Sequence, residues 1–145
     1  MVFIQNVSYD DIKKGTHFAC GPNSMLIAIT DPGMSYPEPA FNFKEVYRFK
    51  FKDEINEHVE GCISEGGAIA LVRLLERALA EQMNVVVHCM AGLCRSVAVA
   101  EVGVIMGLGD THRIRIPNVL VKTKMMRVLG LTYDSTDDRN KEVWH

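Results

Sequence analysis

The sequence predicts an α/β domain with a mainly parallel central sheet flanked by helices. Three observations carry that prediction. Short apolar or alternating stretches recur along the chain in the manner of strands. Stretches with helical spacing separate the later ones, the pattern of a parallel sheet with crossover helices. The chain has 145 residues, enough for one core and too few for two ordinary ones, so residues 1–145 are read as a single domain.

Val2 to Val7 reads as a first strand and Asp10 to Lys14 as a short helix. Turn signals cluster at Cys20-Gly21-Pro22-Asn23-Ser24 and from Asp31-Pro32-Gly33 to Pro39. Between them Met25-Leu26-Ile27-Ala28-Ile29 is a short apolar run, a buried strand. Val46-Tyr47-Arg48-Phe49-Lys50-Phe51 alternates apolar and cationic residues, as a half-exposed strand does. From Ser64 to Gln82, Ile69, Val72, Leu75, Ala78 and Leu79 recur at helical spacing with charges between them. Val85-Val86-Val87 is β-branched throughout and reads as a central strand buried on both faces. Arg95 to Met106 is small and apolar almost all round, a buried helix. Pro117 to Leu129 carries Leu120, Val121, Met125, Val128 and Leu129 at helical spacing, with Pro117 suited to a first turn.

Hydrophobic residues make up 48% and charged residues 23%, which excludes a disordered or fibrous chain. The net charge of -2 gives no global basic field to gather nucleic acid or anionic lipid, so neither nucleic acid nor membrane is expected as a partner. The start, MVFIQNVSYDDIKKG, lacks a basic segment followed by an apolar one, and no apolar run approaches the roughly 18 residues of a membrane span. The expected location is therefore the cytoplasm. The four cysteines, Cys20, Cys62, Cys89 and Cys94, are then expected to be reduced thiols rather than a disulfide framework.

Ligand sites of parallel sheets lie beyond the C-terminal ends of the strands. After Val87 comes His88-Cys89-Met90-Ala91-Gly92-Leu93-Cys94-Arg95-Ser96, a strand end, a short loop and a helix start. Backbone N–H groups of such a loop converge on an anion, and Gly92 permits a tight path. The permanently charged fork of Arg95 suits two oxygens of a phosphate. Cys89 at the base of this cradle is favoured as the nucleophilic thiolate, with Ser96 as a hydrogen-bond donor to the sulfur. His88 is better placed to orient the loop than to attack. A Cys-Arg pair at this spacing is expected about 0.2 times by chance; the added His, Gly and Ser lower that to about 2 in 100,000.

His-Cys-x-x-Gly-x-x-Arg-Ser resembles the signature loop of the cysteine-dependent protein tyrosine phosphatases, in particular the small dual-specificity branch. The strand ending Ile29-Thr30-Asp31, the Phe51-Lys52-Asp53 segment, the long helix, the loop and the closing Pro117-Asn118 helix follow that family's order. The resemblance implies a phosphotyrosine phosphatase-like fold and a two-step phosphomonoester hydrolysis with no metal and no cofactor. Cys89 attacks phosphorus, and Arg95 with the amides of residues 90–95 (Met90, Ala91, Gly92, Leu93, Cys94 and Arg95) holds the equatorial oxygens. Water then cleaves the phosphocysteine. The leaving group needs a proton, and the family places an Asp some 30 to 40 residues before its Cys. Asp53, Glu54 and Glu57 are the candidates; Asp53 stands 36 residues before Cys89 and matches a Phe-x-Asp pattern, so it is the expected general acid. Asp31 is a weaker candidate, in a turn that shapes the pocket wall.

Two departures stand out. In the closing helix Val121 and Lys124 occupy the positions of the family's Phe and Gln. Cys94 precedes the Arg, giving the Cys-x4-Cys-Arg-Ser spacing of the low-molecular-weight tyrosine phosphatases, whose element order is different. Cys94 is a candidate redox partner for an oxidised Cys89. The expected substrate is a phosphorylated protein or peptide. The alternatives are a nucleotide, phosphoinositide or RNA 5′-phosphate, a phosphate-binding pseudophosphatase, sulfur transfer of the rhodanese type and arsenate reduction. His17-x-x-Cys20 has a metal-like spacing but no second pair, so no metal site is expected. Arg113 and Arg115 are either a solvated edge or a contact to a second anionic group, and His112 and His58 have no identifiable partner.

Overall fold

Five parallel strands form one sheet in the order β3-β2-β4-β1-β5, in a computed structural model that describes residues 2–16, 19–111 and 116–133. The strands are β1 (Phe3–Val7), β2 (Ser24–Thr30), β3 (Glu45–Lys50), β4 (Asn84–His88) and β5 (Gly109–Asp110). The helices are α1 (Tyr9–Lys14), α2 (Glu65–Ala80), α3 (Arg95–Met106) and α4 (Val119–Val128). β4 lies between β2 and β1, which is why Val85, Val86 and Val87 are all fully buried.

The two faces of the sheet are covered unequally. Met25, Ile27 and Ile29 of β2 and Val85 and Val87 of β4 pack with α2, α3 and α4 in the main core. Leu26, Ala28 and Val86 point the other way, onto Ile12 of α1, Cys20 and Phe43. This alternation is the period of two that a strand imposes. β3 at the edge is half-exposed, and Glu45 ties it to α2 through a two-pronged pair with Arg77 at 2.8 and 2.7 Å. That pair holds the Glu45 carboxyl at about 2.

Side chains cap three helix starts. The Ser8 hydroxyl accepts from the Asp11 N–H and the Asp11 carboxylate from the Ser8 N–H, so α1 opens on a capping box. Ser64 caps α2 through the Gly67 N–H at 3.0 Å, and Asn118 caps α4 through the Val121 N–H at 3.0 Å. At α3 the N-cap is Cys94, which makes no side-chain capping bond.

Some details differ from the sequence reading. The buried stripe of α2 is Ala68, Leu71, Val72, Leu75 and Ala78, so Ile69 lies one residue off it and is exposed. Val128 is exposed at the last turn of α4. Pro117 precedes the Asn118 cap instead of entering the first turn. β5 is a two-residue strand beside Phe3 and Ile4, too short for periodicity to reveal. His17, His112, Arg113 and Arg115 lie outside the described residues. No helix among the described residues is long and apolar enough to cross a membrane.

Candidate active site

The C-terminal ends of β1, β2, β3 and β4 meet at one edge of the sheet. β4 ends at His88, and residues 89–94 form the loop that leads into α3. Cys89 is 3% exposed, at the base of this loop, and its Sγ lies 3.2 Å from Ser96 Oγ in the first turn of α3. A hydroxyl at that distance can donate to the sulfur.

The carbonyls of alternate loop residues are held by the surroundings. Met90 O accepts from the Tyr9 N–H at 3.1 Å, Gly92 O from Asn6 Nδ2 at 2.9 Å and Cys94 O from the Asn118 N–H at 3.0 Å. A trans peptide directs its N–H opposite to its C=O. Those three bonds therefore turn the N–H groups of Ala91, Leu93 and Arg95 toward the hollow of the loop. With the uncapped start of α3 behind them, donors so directed suit an anion. Gly92 has φ +75°, and a Cβ there would run into the backbone of Val7 and Ser8.

Arg95 is 4% exposed. Its Nη1 donates to Asp31 Oδ1 at 2.9 Å and to Phe51 O at 2.8 Å, so the ends of β2 and β3 clamp one side of the guanidinium. Its Nε is buried without a partner among the described residues. A buried cationic N–H without an acceptor is costly unless a ligand supplies one, and an oxyanion does so. Asp31 is thus bound to the arginine.

His88 is fully buried, with Nδ1 3.2 Å from Cys89 O. Since a carbonyl only accepts, Nδ1 carries the proton, and the buried Nε2 has no partner among the described residues. Burial, the chief cause, pushes the imidazole below its ordinary value; the Cys89 carbonyl opposes this and the Arg95 charge adds to it. The Tyr9 ring meets the His88 ring edge-on at 6.0 Å.

The three carboxylate candidates separate by their partners. Asp53 Oδ1 accepts from Asn118 Nδ2 at 2.7 Å, beside the Cys94 carbonyl that Asn118 also holds. Glu54 folds back on its own turn and accepts from the N–H groups of Ile55 and Asn56. Glu57 lies 4.0 Å from Arg127. Lys124, at the position of the family's Gln, is buried, donates to Ile63 O at 2.9 Å and lies 3.6 Å from Glu65. Cys94 is partly exposed and, like the other three cysteines, is a free thiol. Cys62 Sγ lies 3.4 Å from Glu57 O, and Cys20 fills the thinner core, where burial raises its thiol.

The sequence reading missed Asn6, Tyr9 and the Phe51 carbonyl, and it left Asn118 without a task. Asn6 and Phe51 carry no local signal, because each acts on a residue 44 or more positions away. With Pro117 read into the first turn, neither the Asn118 cap nor its grip on Asp53 was foreseen.

No family model matches the chain, and no curated protein matches it. Solved structures do. Human DUSP28 is 12% identical, over 95% of this chain and 87% of its own, with a TM-score of 0.53. Human tyrosine phosphatase-like serine/threonine/tyrosine-interacting protein is 13% identical, over 97% of this chain and 91% of its own, also with a TM-score of 0.53. The Orf virus OH1 tyrosine phosphatase is 24% identical over 73% of this chain with a TM-score of 0.48, and the match spans 56% of that viral chain. The two human structures establish the fold: a parallel sheet with flanking helices, as in the small dual-specificity phosphatases.

Proposed function

We propose that a chain with this fold and this loop is a cysteine-dependent phosphomonoester hydrolase, a protein tyrosine or dual-specificity phosphatase that needs no metal. One observation carries the reading. Cys89 lies at the base of a loop whose alternate carbonyls are bonded to its surroundings, and Arg95 is clamped nearby with a buried Nε that lacks an acceptor among the described residues.

The Cys89 thiolate attacks phosphorus in line, forming the S–P bond as the P–O bond to the leaving group breaks. The loop amides and the open edge of Arg95 stabilise the three equatorial oxygens. Asp53 gives its proton to the leaving oxygen. Water then attacks the phosphocysteine, Asp53 takes a proton from it, and the products are inorganic phosphate and the free thiolate.

A phosphorylated protein is favoured as substrate by the rim of the site. Met90 and Leu93 are exposed apolar side chains on the loop, 49% and 43% accessible, and they suit an aromatic ring better than a second phosphate. Met90, Ala91, Leu93 and Cys94 carry no cation, which a phosphoinositide or nucleotide would favour.

The test is hydrolysis of an aryl phosphate in chelator, with vanadate as inhibitor. The parent is expected to turn over. Cys89→Ser should lose turnover yet still bind a phosphotyrosine peptide, and Asp53→Ala should lose about a hundredfold or more in kcat on that peptide. An inactive parent overturns the reading and favours a phosphate-binding module. Full activity in Asp53→Ala overturns the acid assignment alone.

A further inference from the structure

We infer that Asn118 is a positioning residue that fixes Asp53 over the phosphate loop in the geometry of a proton donor, an inference that rests on the phosphatase reading above. Asn118 is 3% exposed, and its polar groups are committed to three segments. Its main-chain N–H donates to Cys94 O at 3.0 Å, which anchors it to the last residue of the loop. Its Oδ1 caps α4 through the Val121 N–H at 3.0 Å. Its Nδ2 donates to Asp53 Oδ1 at 2.7 Å and to Glu54 O at 3.2 Å, holding both the side chain and the backbone of the acid-bearing turn. One residue therefore fixes the distance between the acid and the anion cradle.

The chemistry of the amide adds a second consequence. Nδ2 can only donate, so the oxygen facing it must present a lone pair whether or not Asp53 is protonated. The proton of the acid is thereby directed to Oδ2. Asp53 is exposed, and an exposed carboxylate on a turn otherwise samples several rotamers. Holding it in one of them saves the orientational cost of proton transfer.

The experiment compares a phosphotyrosine peptide, whose leaving group needs a proton, with dinitrophenyl phosphate, whose leaving group does not. Asn118→Ser keeps a capping hydroxyl for α4 but is too short to bridge to Asp53. The ratio of kcat on the peptide to kcat on the activated ester should fall about tenfold in Asn118→Ser and at least as far in Asp53→Ala. The double variant should fall no further than Asp53→Ala, because the two residues act as one device. In Asn118→Asp a second anion stands beside Asp53 and disfavours its ionised form. The basic limb of kcat, which reports loss of the acid's proton, should move to higher pH. Equal losses on both esters, or additive losses in the double variant, overturn the positioning role and leave the phosphatase reading standing. A parent that hydrolyses neither ester overturns both.

Discussion

Replacing Gly92 with Ala tests whether the loop after β4, the proposed phosphate site, is built against the first strand. An ideal Cβ at Gly92 would sit 2.6 Å from the Val7 carbonyl carbon, 2.7 Å from its oxygen and 2.8 Å from Ser8 N. All three are main-chain atoms, inside contact range and unable to rotate away. The residue also has φ +75°, which costs a side-chain-bearing residue about 1–2 kcal/mol. Overpacking against fixed neighbours adds about 1–3 kcal/mol. The expected loss is thus about 2–5 kcal/mol, or roughly 10 °C in Tm for a domain of this size. Gly21 supplies the control, because its φ is +72° but a Cβ there meets nothing within 4 Å. Gly21→Ala should lose only the conformational part, about 1–2 kcal/mol. Denaturant and thermal melts give the two values, and vanadate inhibition reports the loop. Gly92→Ala should weaken vanadate at least about tenfold through the displaced amides. Equal stability losses in the two variants, or unchanged vanadate inhibition in Gly92→Ala, would refute the contact argument.

Three further expectations follow from the site. Asp31→Ala frees the guanidinium of Arg95, and kcat/KM on an aryl phosphate should fall about tenfold or more through misorientation. Asp31→Asn should fall less, since its Oδ1 can still accept from Nη1. His88 is held neutral by burial, below its ordinary value of 6.5. As pH falls through 6.5 toward that lowered value, the unfolded chain binds a proton that the folded one refuses, so stability drops in that window. The Glu45 contribution is present above 4.5 and is lost as pH falls toward about 2, so the two effects separate. In His88→Gln the decline of Tm between pH 6.5 and 5 should flatten, and an unchanged slope would assign it elsewhere. If Cys94 is the redox partner of Cys89, peroxide should convert Cys89 to a sulfenic acid that condenses with the Cys94 thiol to give a disulfide and water. Reduction should therefore restore less activity to peroxide-treated Cys94→Ser than to the parent, and equal recovery would remove Cys94 from that role.

The parts of the molecule legible in the sequence are those encoded by neighbours along the chain. The small, mostly apolar make-up of residues 95–106 marks a buried helix, and eight of its twelve residues are buried. The unbroken apolar run of residues 25–29 marks a strand between two cores because each face has its own partner. Cys89 to Ser96 reads as one unit because the loop is contiguous. What stayed hidden is held across the sheet. An Asp before Pro-Gly looks like a turn whether or not it clamps an arginine 64 positions away. An Asn after Pro at the start of a helical stretch looks the same whether or not its amide holds an Asp 65 positions away. Ile69 was assigned inward because a helical stripe can be drawn through it as easily as through Ala68. Only the packing of α2 against α4 and the sheet decides between them.

The bonds from Asn6 and Tyr9 to the loop have a consequence for how the protein is made. β4 is synthesised after both its neighbours and must enter between β2 and β1, and Asn6 then reaches Gly92, 86 positions further along the chain. The loop of residues 89–94 therefore cannot mature as a local motif on the nascent chain; it waits for the sheet to close around its central strand. The same wiring operates in reverse. Opening the loop means lifting it from the first strand, so its amides should exchange with solvent at rates set by the unfolding of the sheet. An oxyanion held there would then protect the whole fold and not only its binding loop.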